Sequence, residues 1–262
     1  MERYFEVNEK GHNIRCKLYC ADLAGIRRAV LFLHGFAGHK DTKAAARLAE
    51  RLMNKTKGTA LVTFNWPCHG DDVKKKLTLS DCDTYLELVT AYIKERYHAE
   101  EISVCAVSFG AYVLLRNIAA HGSPYKRIVL RSPALPMYDS LTGTIMTADE
   151  REKIARGQDV QVGFDRKVPV SRAFLDEVRE CDVRKMEFFD QADDMLIIHG
   201  TKDATINPAC SRRLYESLPS CTDKRLLMLE GADHGFGLWD GRTQDSEAIV
   251  SETVCFLSER ML

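Results

Sequence analysis

The chain has 262 residues, enough for one large domain with a substantial core. Its hydrophobic fraction of 45% is that of an ordinary globular protein, and no apolar run is long enough to span a bilayer. The formal net charge of -1 gives no electrostatic basis for binding nucleic acid or an anionic membrane.

Nine cysteines, an odd number, are scattered without a C-x-x-C pair. Cys105 and Cys255 fall in apolar runs, where a free thiol packs as a small hydrophobe. Neither a disulfide framework nor metal-ligand spacing is legible, which fits a reducing compartment. The first residues, Met1-Glu2-Arg3-Tyr4-Phe5-Glu6, lack the basic start and apolar core of a signal peptide. The expectation is a cytoplasmic protein with no cofactor, no metal and an oligomeric state left open.

Residues 3–7 and 12–20 read as an antiparallel hairpin around Asn8-Glu9-Lys10-Gly11. The apolar run 29–33 reads as a strand buried on both faces, ending in His34-Gly35-Phe36-Ala37-Gly38-His39-Lys40. A helix over about 43–53 and a strand over 59–64 follow, the strand ending in Asn65-Trp66-Pro67-Cys68-His69-Gly70-Asp71. The run Lys74-Lys75-Lys76 behind Asp71-Asp72 reads as a solvated loop.

After a helix over about 79–97 comes Ile102-Ser103-Val104-Cys105-Ala106-Val107-Ser108-Phe109-Gly110-Ala111-Tyr112, an apolar strand that turns sharply into a helix. Ser108 stands at the turn between Ala106 and Gly110, a one-residue variant of the G-x-S-x-G nucleophile elbow. Small neighbours are expected because the turn brings positions 106 and 110 close together. Taken alone, the serine could equally cap a core helix. The next strand is 127–131.

Strands alternating with helices at this spacing imply right-handed crossovers and a doubly wound, mostly parallel sheet, with the ligand site beyond the strands' carboxyl ends. The alternation breaks over 133–194. There 148–156 and 171–186 look helical and Val160, Val162 and Phe164 suggest a small hairpin near Asp165-Arg166. The segment leaves the sixth strand at its carboxyl edge and returns to the next, so it is expected to form a cap within a single domain spanning 1–262; the other reading is a peripheral insertion. The sheet resumes at 195–198, ending in His199-Gly200-Thr201-Lys202-Asp203, with a helix after Pro208. A last strand, 225–229, ends in Glu230-Gly231-Ala232-Asp233-His234-Gly235-Phe236, and a helix over about 246–259 closes the chain.

A serine hydroxyl becomes a useful nucleophile only when a base takes its proton, and an acid must hold that base in one tautomer. Ser108, Asp203 and His234 stand at successive strand ends in that order. The motifs around them, with His34-Gly35-Phe36, resemble those of α/β-hydrolase fold enzymes over essentially the whole chain. The resemblance implies an α/β-hydrolase fold with nucleophile Ser108, base His234 and acid Asp203. Asp203 could instead cap the turn before Asn207-Pro208. Asp233 is the rival acid, disfavoured because neighbours in a loop point apart. The backbone N–H of Phe109 is one expected oxyanion donor, and the resemblance supplies that of Phe36 as the other. It makes His34 and His199 structural, bonded to loop backbone, and leaves His39 and His69 as loop residues near the site.

A serine nucleophile sets the chain apart from the aspartate-using dehalogenases and epoxide hydrolases. The layout is most similar to small bacterial feruloyl/cinnamoyl esterases and to monoacylglycerol lipase-like hydrolases of the serine aminopeptidase type. Ala106 in place of glycine and the loop Pro67-Cys68-His69-Gly70-Asp71-Asp72 depart from the pattern. The implied activity is hydrolysis of a small carboxylic ester through an acyl-serine, with His39, Met137, Tyr138, Phe164 and Phe174 as candidate substrate contacts. Two alternatives stand beside it: an amidase or aminopeptidase, which would place Asp139, Asp149 or Glu150 against a substrate amine, and a non-catalytic binding protein on the same fold.

Overall fold

The computed structural model describes residues 1–187, 194–218, 223–236 and 243–259. Eight strands form one sheet: Glu2–Glu9 (β1), His12–Tyr19 (β2), Arg28–Leu33 (β3), Thr59–Phe64 (β4), Glu101–Val107 (β5), Arg127–Arg131 (β6) and, beyond an insertion carrying the hairpin Val160–Gly163 (β7) and Lys167–Val170 (β8), Asp194–Gly200 (β9) and Asp223–Leu229 (β10). The sheet order is β1-β2-β4-β3-β5-β6-β9-β10. β2 runs antiparallel to both β1 and β4, and the remaining pairs are parallel. Lys10 and Gly11, with φ of 49° and 76°, make the two-residue turn that joins the first two strands, the turn whose twist matches the strands it connects.

Strict alternation along the central strands divides the core. Leu31 and Leu33 of β3, Val104 and Ala106 of β5, Ile128 and Leu130 of β6 and Ile197 of β9 face one side. Phe32, Cys105, Val129, Leu196 and Ile198 face the other. The first side packs against helices Leu79–Tyr97 (α2), Phe109–His121 (α3) and Ala209–Ser217 (α7), and against the insertion. The second packs against Lys43–Lys55 (α1) and Thr243–Ser258 (α8). Each large aliphatic residue buried this way contributes about 1.5–3 kcal/mol relative to exposure. The Cys105 thiol is buried in the second core, whereas Cys255 lies on the exposed face of α8.

Helix starts follow the expected chemistry. Thr42 accepts from the Ala45 amide ahead of α1, and Thr78 from the Asp81 amide ahead of α2. The insertion contains Met137–Ser140 (α4), a wide turn over Leu141–Ile145, Ala148–Ala155 (α5) with a Thr147/Glu150 capping box, and Arg172–Glu180 (α6). The short helix and wide turn over 137–145 leave no periodicity for the sequence to betray. The helix expected over 171–186 ends at Glu180, because Asp182 caps a separate 3-10 turn, Val183–Lys185. Residues 188–193, at the end of the expected cap, lie outside the described residues.

Gly110 is required by a different neighbour from the one the sequence suggests. A Cβ there would come within 2.6 Å of the Leu33 carbonyl oxygen and 2.8 Å of that of His34. The three nearest atoms all belong to the end of β3. Gly110→Ala is therefore expected to lose about 1–3 kcal/mol through overpacking, read as a lower urea midpoint. Gly143→Ala, where a Cβ meets nothing within 4 Å, is expected to stay within about 0.5 kcal/mol of the parent.

Candidate active site

β5 ends at Val107, and Ser108 turns the chain into α3 with φ 51° and ψ -112°, a strained conformation for a residue with a side chain. Hydrogen bonds over-determine it. The Ser108 amide donates to the Arg131 carbonyl at 2.9 Å, and the Ser108 carbonyl accepts from Ala111, Tyr112 and Ala134.

Asp203 follows β9 and His234 follows β10, and the two loops are stitched together. Thr201 N–H donates to the Leu229 carbonyl and Lys202 N–H to the Ala232 carbonyl, both at 2.9 Å. The Thr201 hydroxyl accepts from the Gly231 amide at 2.8 Å. On this frame His234 Nδ1 lies 2.7 Å from Asp203 Oδ2, and His234 Nε2 lies 3.2 Å from Ser108 Oγ. A carboxylate only accepts, so Nδ1 carries the proton and Nε2 offers its lone pair to the serine hydroxyl.

Asp203 is 7% exposed and filled on both oxygens. Oδ1 accepts from the Thr205 and Ile206 amides, each at 2.8 Å; Oδ2 accepts from His234 and from His199 Nε2, the latter at 3.0 Å. Burial works against the charge, but the bonds from His199, His234 and the Ile206 amide outweigh it and hold this carboxyl well below its ordinary 3.8. One oxygen thus caps the turn through two amides, and the other faces the two imidazoles.

His199 has more to do than the sequence suggests. It is fully buried, and its Nε2 also faces the Ile206 carbonyl at 3.2 Å, so that nitrogen is the donor. Nδ1 meets Ser211 Oγ at 2.7 Å. The chain Ser211–His199–Asp203 thus braces the carboxylate from behind. Its signal was present in the four-residue spacing of His199 and Asp203, but Ser211 lies on α7 and only folding brings it near.

The cavity beside Ser108 has a volume of about 380 Å³. Phe36, His39 and Phe164 line it, with Ile145 and the hairpin tip Asp165-Arg166 closing one side. Met137, Tyr138 and Phe174 do not. Met137 and Phe174 are consumed by the core of the insertion, and Tyr138 packs beneath the Arg179 guanidinium. Nor do the acidic residues of the amidase alternative reach the cavity: Asp139 pairs with Arg184, Asp149 with Lys153, and Glu150 caps α5.

The loop after β3 approaches Ser108 closely, a Cβ on Gly35 falling 3.3 Å from that of Ser108. The Phe36 ring packs edge-on to Phe109 and His69. His34 bonds to the Gly35 carbonyl at 2.9 Å and accepts from the Trp66 amide, as a loop-bracing histidine would. Burial and the neighbouring His69 push it well below its ordinary 6.5. His39 is half-buried at the cavity wall, and burial and Arg166 lower it too. Among the described residues no cluster of three or more His, Cys, Asp or Glu could hold a metal ion, and no helix is long and apolar enough to cross a membrane.

Residues 30–251 match a model of the alpha/beta hydrolase family, and the chain belongs to that family. Among solved structures it is similar to Est1E from Butyrivibrio proteoclasticus with ferulic acid bound, at 19% identity and TM-score 0.74 over 97% of this chain and 100% of that one. A soluble variant of monoglyceride lipase from Saccharomyces cerevisiae, in complex with a substrate analog, gives 16% identity and TM-score 0.74 over 99% and 96%. Monoacylglycerol lipase from Paleococcus ferrophilus gives 18% and 0.66 over 93% and 99%. At these identities the likeness is one of fold. A comparison with curated proteins found no match.

His69 gives the site a pH signature. It is fully buried beside Phe109, and burial lowers it to about 4 from 6.5. Between those values only the unfolded chain takes up the proton, so stability should fall as pH drops from 6.5 to 4, by about 3 kcal/mol for this group. Urea unfolding near pH 7 and near pH 4.5 is expected to show a shallower decline in His69→Gln than in the parent.

Proposed function

We propose that the chain is a serine hydrolase that cleaves small carboxylic esters through an acyl-serine intermediate. The observation that carries this reading is the line of contacts from Asp203 through His234 to Ser108, at the carboxyl ends of three parallel strands and beside a largely apolar cavity. Ser108 Oγ attacks the ester carbonyl while His234 Nε2 takes its proton, and Asp203 stabilises the imidazolium. The same proton passes to the leaving alcohol as the carbon–oxygen bond breaks. A water then gives its proton to His234, attacks the acyl-serine and releases the acid, and Ser108 regains its hydrogen.

The oxyanion is held by the amides of Phe36 and Phe109. The second begins α3, where a helix leaves its first N–H groups free, and the first sits in the loop that Gly35 brings against Ser108. Two such donors supply several kcal/mol of transition-state stabilisation. The aromatic walls, Phe36 and Phe164, favour an aryl or short-to-medium acyl group. The residues between β6 and β9 act as a cap through Ile145 and the β7–β8 tip. Ester is favoured over amide because the acids that would hold an amine are engaged elsewhere.

The reading is tested with p-nitrophenyl acetate, butyrate and octanoate beside methyl ferulate. Ser108→Ala is expected to lower kcat by about 10⁴-fold or more on whichever ester is cleaved; an undiminished rate would remove the mechanism. His199→Phe, which deletes one donor to Asp203, is expected to lower kcat about 10- to 100-fold with KM little changed.

A further inference from the structure

Arg131 ends β6 opposite Val107, the residue before the nucleophile. Its strand parity, shared with Val129, turns the side chain toward the face covered by α1 and α8, where it lines the cavity. It is 5% exposed, yet among the described residues no carboxylate pairs with it; its Nε has no hydrogen-bond partner, and its guanidinium is in hydrogen-bonding contact only with the neutral Cys105 thiol among the charged or titratable groups described. Its neighbours are the Phe236 ring, 5.5 Å from the guanidinium carbon, and the Cys105 thiol, which burial raises to about 11 and so keeps uncharged near neutral pH. A buried cation without an anion is costly, and a fold that retains one has a reason to.

The surroundings suit an anionic guest. Lys43 and Arg166 stand at the same cavity, and Asp165 at the hairpin tip is the one carboxylate among its described lining residues. Thr42, Lys43 and Ala44 present the amino end of α1 to it, and that first turn carries no acidic residue. Phe32, Phe36, Val107 and Phe236 supply apolar walls to the cavity that Arg131 and Ser108 both line.

We infer that Arg131 is the anchor of a carboxylate subsite, and that the ester hydrolysed at Ser108 carries a carboxylate a few bonds from its scissile carbonyl, as a monoester of a short dicarboxylic acid does. This rests on the serine-hydrolase reading for the reaction but not for the binding. One guanidinium meets one carboxylate with a matched pair of N–H donors. Adjacent strands lie about 5 Å apart, so a guest reaching from Ser108 to Arg131 needs only a short chain. Lys43 and Arg166 at the cavity wall draw the anion in.

The test measures binding apart from turnover. Glutarate is titrated by calorimetry into the parent, into Ser108→Ala, and into Arg131→Met and Arg131→Lys; the kcat/KM ratio of p-nitrophenyl hemiglutarate to p-nitrophenyl pentanoate is measured in parallel. Parent and Ser108→Ala are expected to bind glutarate alike, Arg131→Met at least tenfold more weakly, and Arg131→Lys in between. The ester ratio should fall at least tenfold in Arg131→Met. Without ligand, Arg131→Met should melt no lower than the parent, since relief of a buried charge with no anion beside it outweighs the lost contact with the Cys105 thiol. Unchanged glutarate affinity in Arg131→Met, no glutarate binding by the parent, or collapse of Arg131→Met while Arg131→Lys binds like the parent would each overturn the subsite. Tighter binding of inorganic phosphate than of glutarate would overturn its assignment to a carboxylate. Glutarate binding without turnover of any ester would leave the subsite standing and remove the esterase reading.

Discussion

The Asp203 carboxylate is the interaction on which the site depends. Its four acceptor positions are filled by two loop amides and two imidazoles, so it is satisfied only as an anion. That charge fixes which nitrogen of His234 carries the proton and hence which one faces Ser108. It also ties the end of β9 to α7 through His199 and Ser211, and to the loop after β10 through His234. A buried charge this well compensated is rigid because every alternative position leaves donors unpaired.

The second constraint is the crowding of β3 against the elbow. The Leu33 and His34 carbonyls press on Gly110, and Gly35 lies against Ser108. The elbow therefore cannot relax from its strained φ without displacing the loop that carries Phe36. Ser108 and the loop that carries Phe36 are held by one packing contact, and the hydrogen bonds to Arg131 and Ala134 extend that hold to β6 and the start of the insertion.

The sheet's alternation then distributes the chemistry between two faces. Odd and even residues of β5 and β6 enter separate cores. Arg131 and Phe236 reach the cavity from the α1/α8 side, while Phe164 and Ile145 close it from the insertion. The cavity is thus a seam between the carboxyl edge of the sheet and a hairpin whose apolar anchors, Val160, Val162, Val168 and Val170, are buried. Substrate choice on such a scaffold lies in the residues along that seam rather than in the fold.

The succession of strands and helices, the elbow and the order of Ser108, Asp203 and His234 could be read from the chain because each rests on local pattern: a buried apolar run, then small or polar residues at its carboxyl end; the order of the strands in the sheet could not. Phe36 and His39 were legible for the same reason, being loop residues at that edge; Phe164 was named only as an apolar or aromatic residue of the insertion, and of the four so named it alone lines the cavity. Met137, Tyr138 and Phe174 were misplaced because composition says that a side chain is apolar but not which of two apolar volumes it fills, the insertion's core or the cavity. The Ser211 brace on His199 and the burial of Arg131 without a carboxylate partner were invisible, since each depends on residues that the chain separates and on what stands opposite. The sequence by itself determined the fold and the order of the chemistry, through short-range periodicity and turn geometry. Only the tertiary structure decided which groups meet, because hydrogen bonding and charge compensation act over a few ångströms between strands and helices brought together by folding.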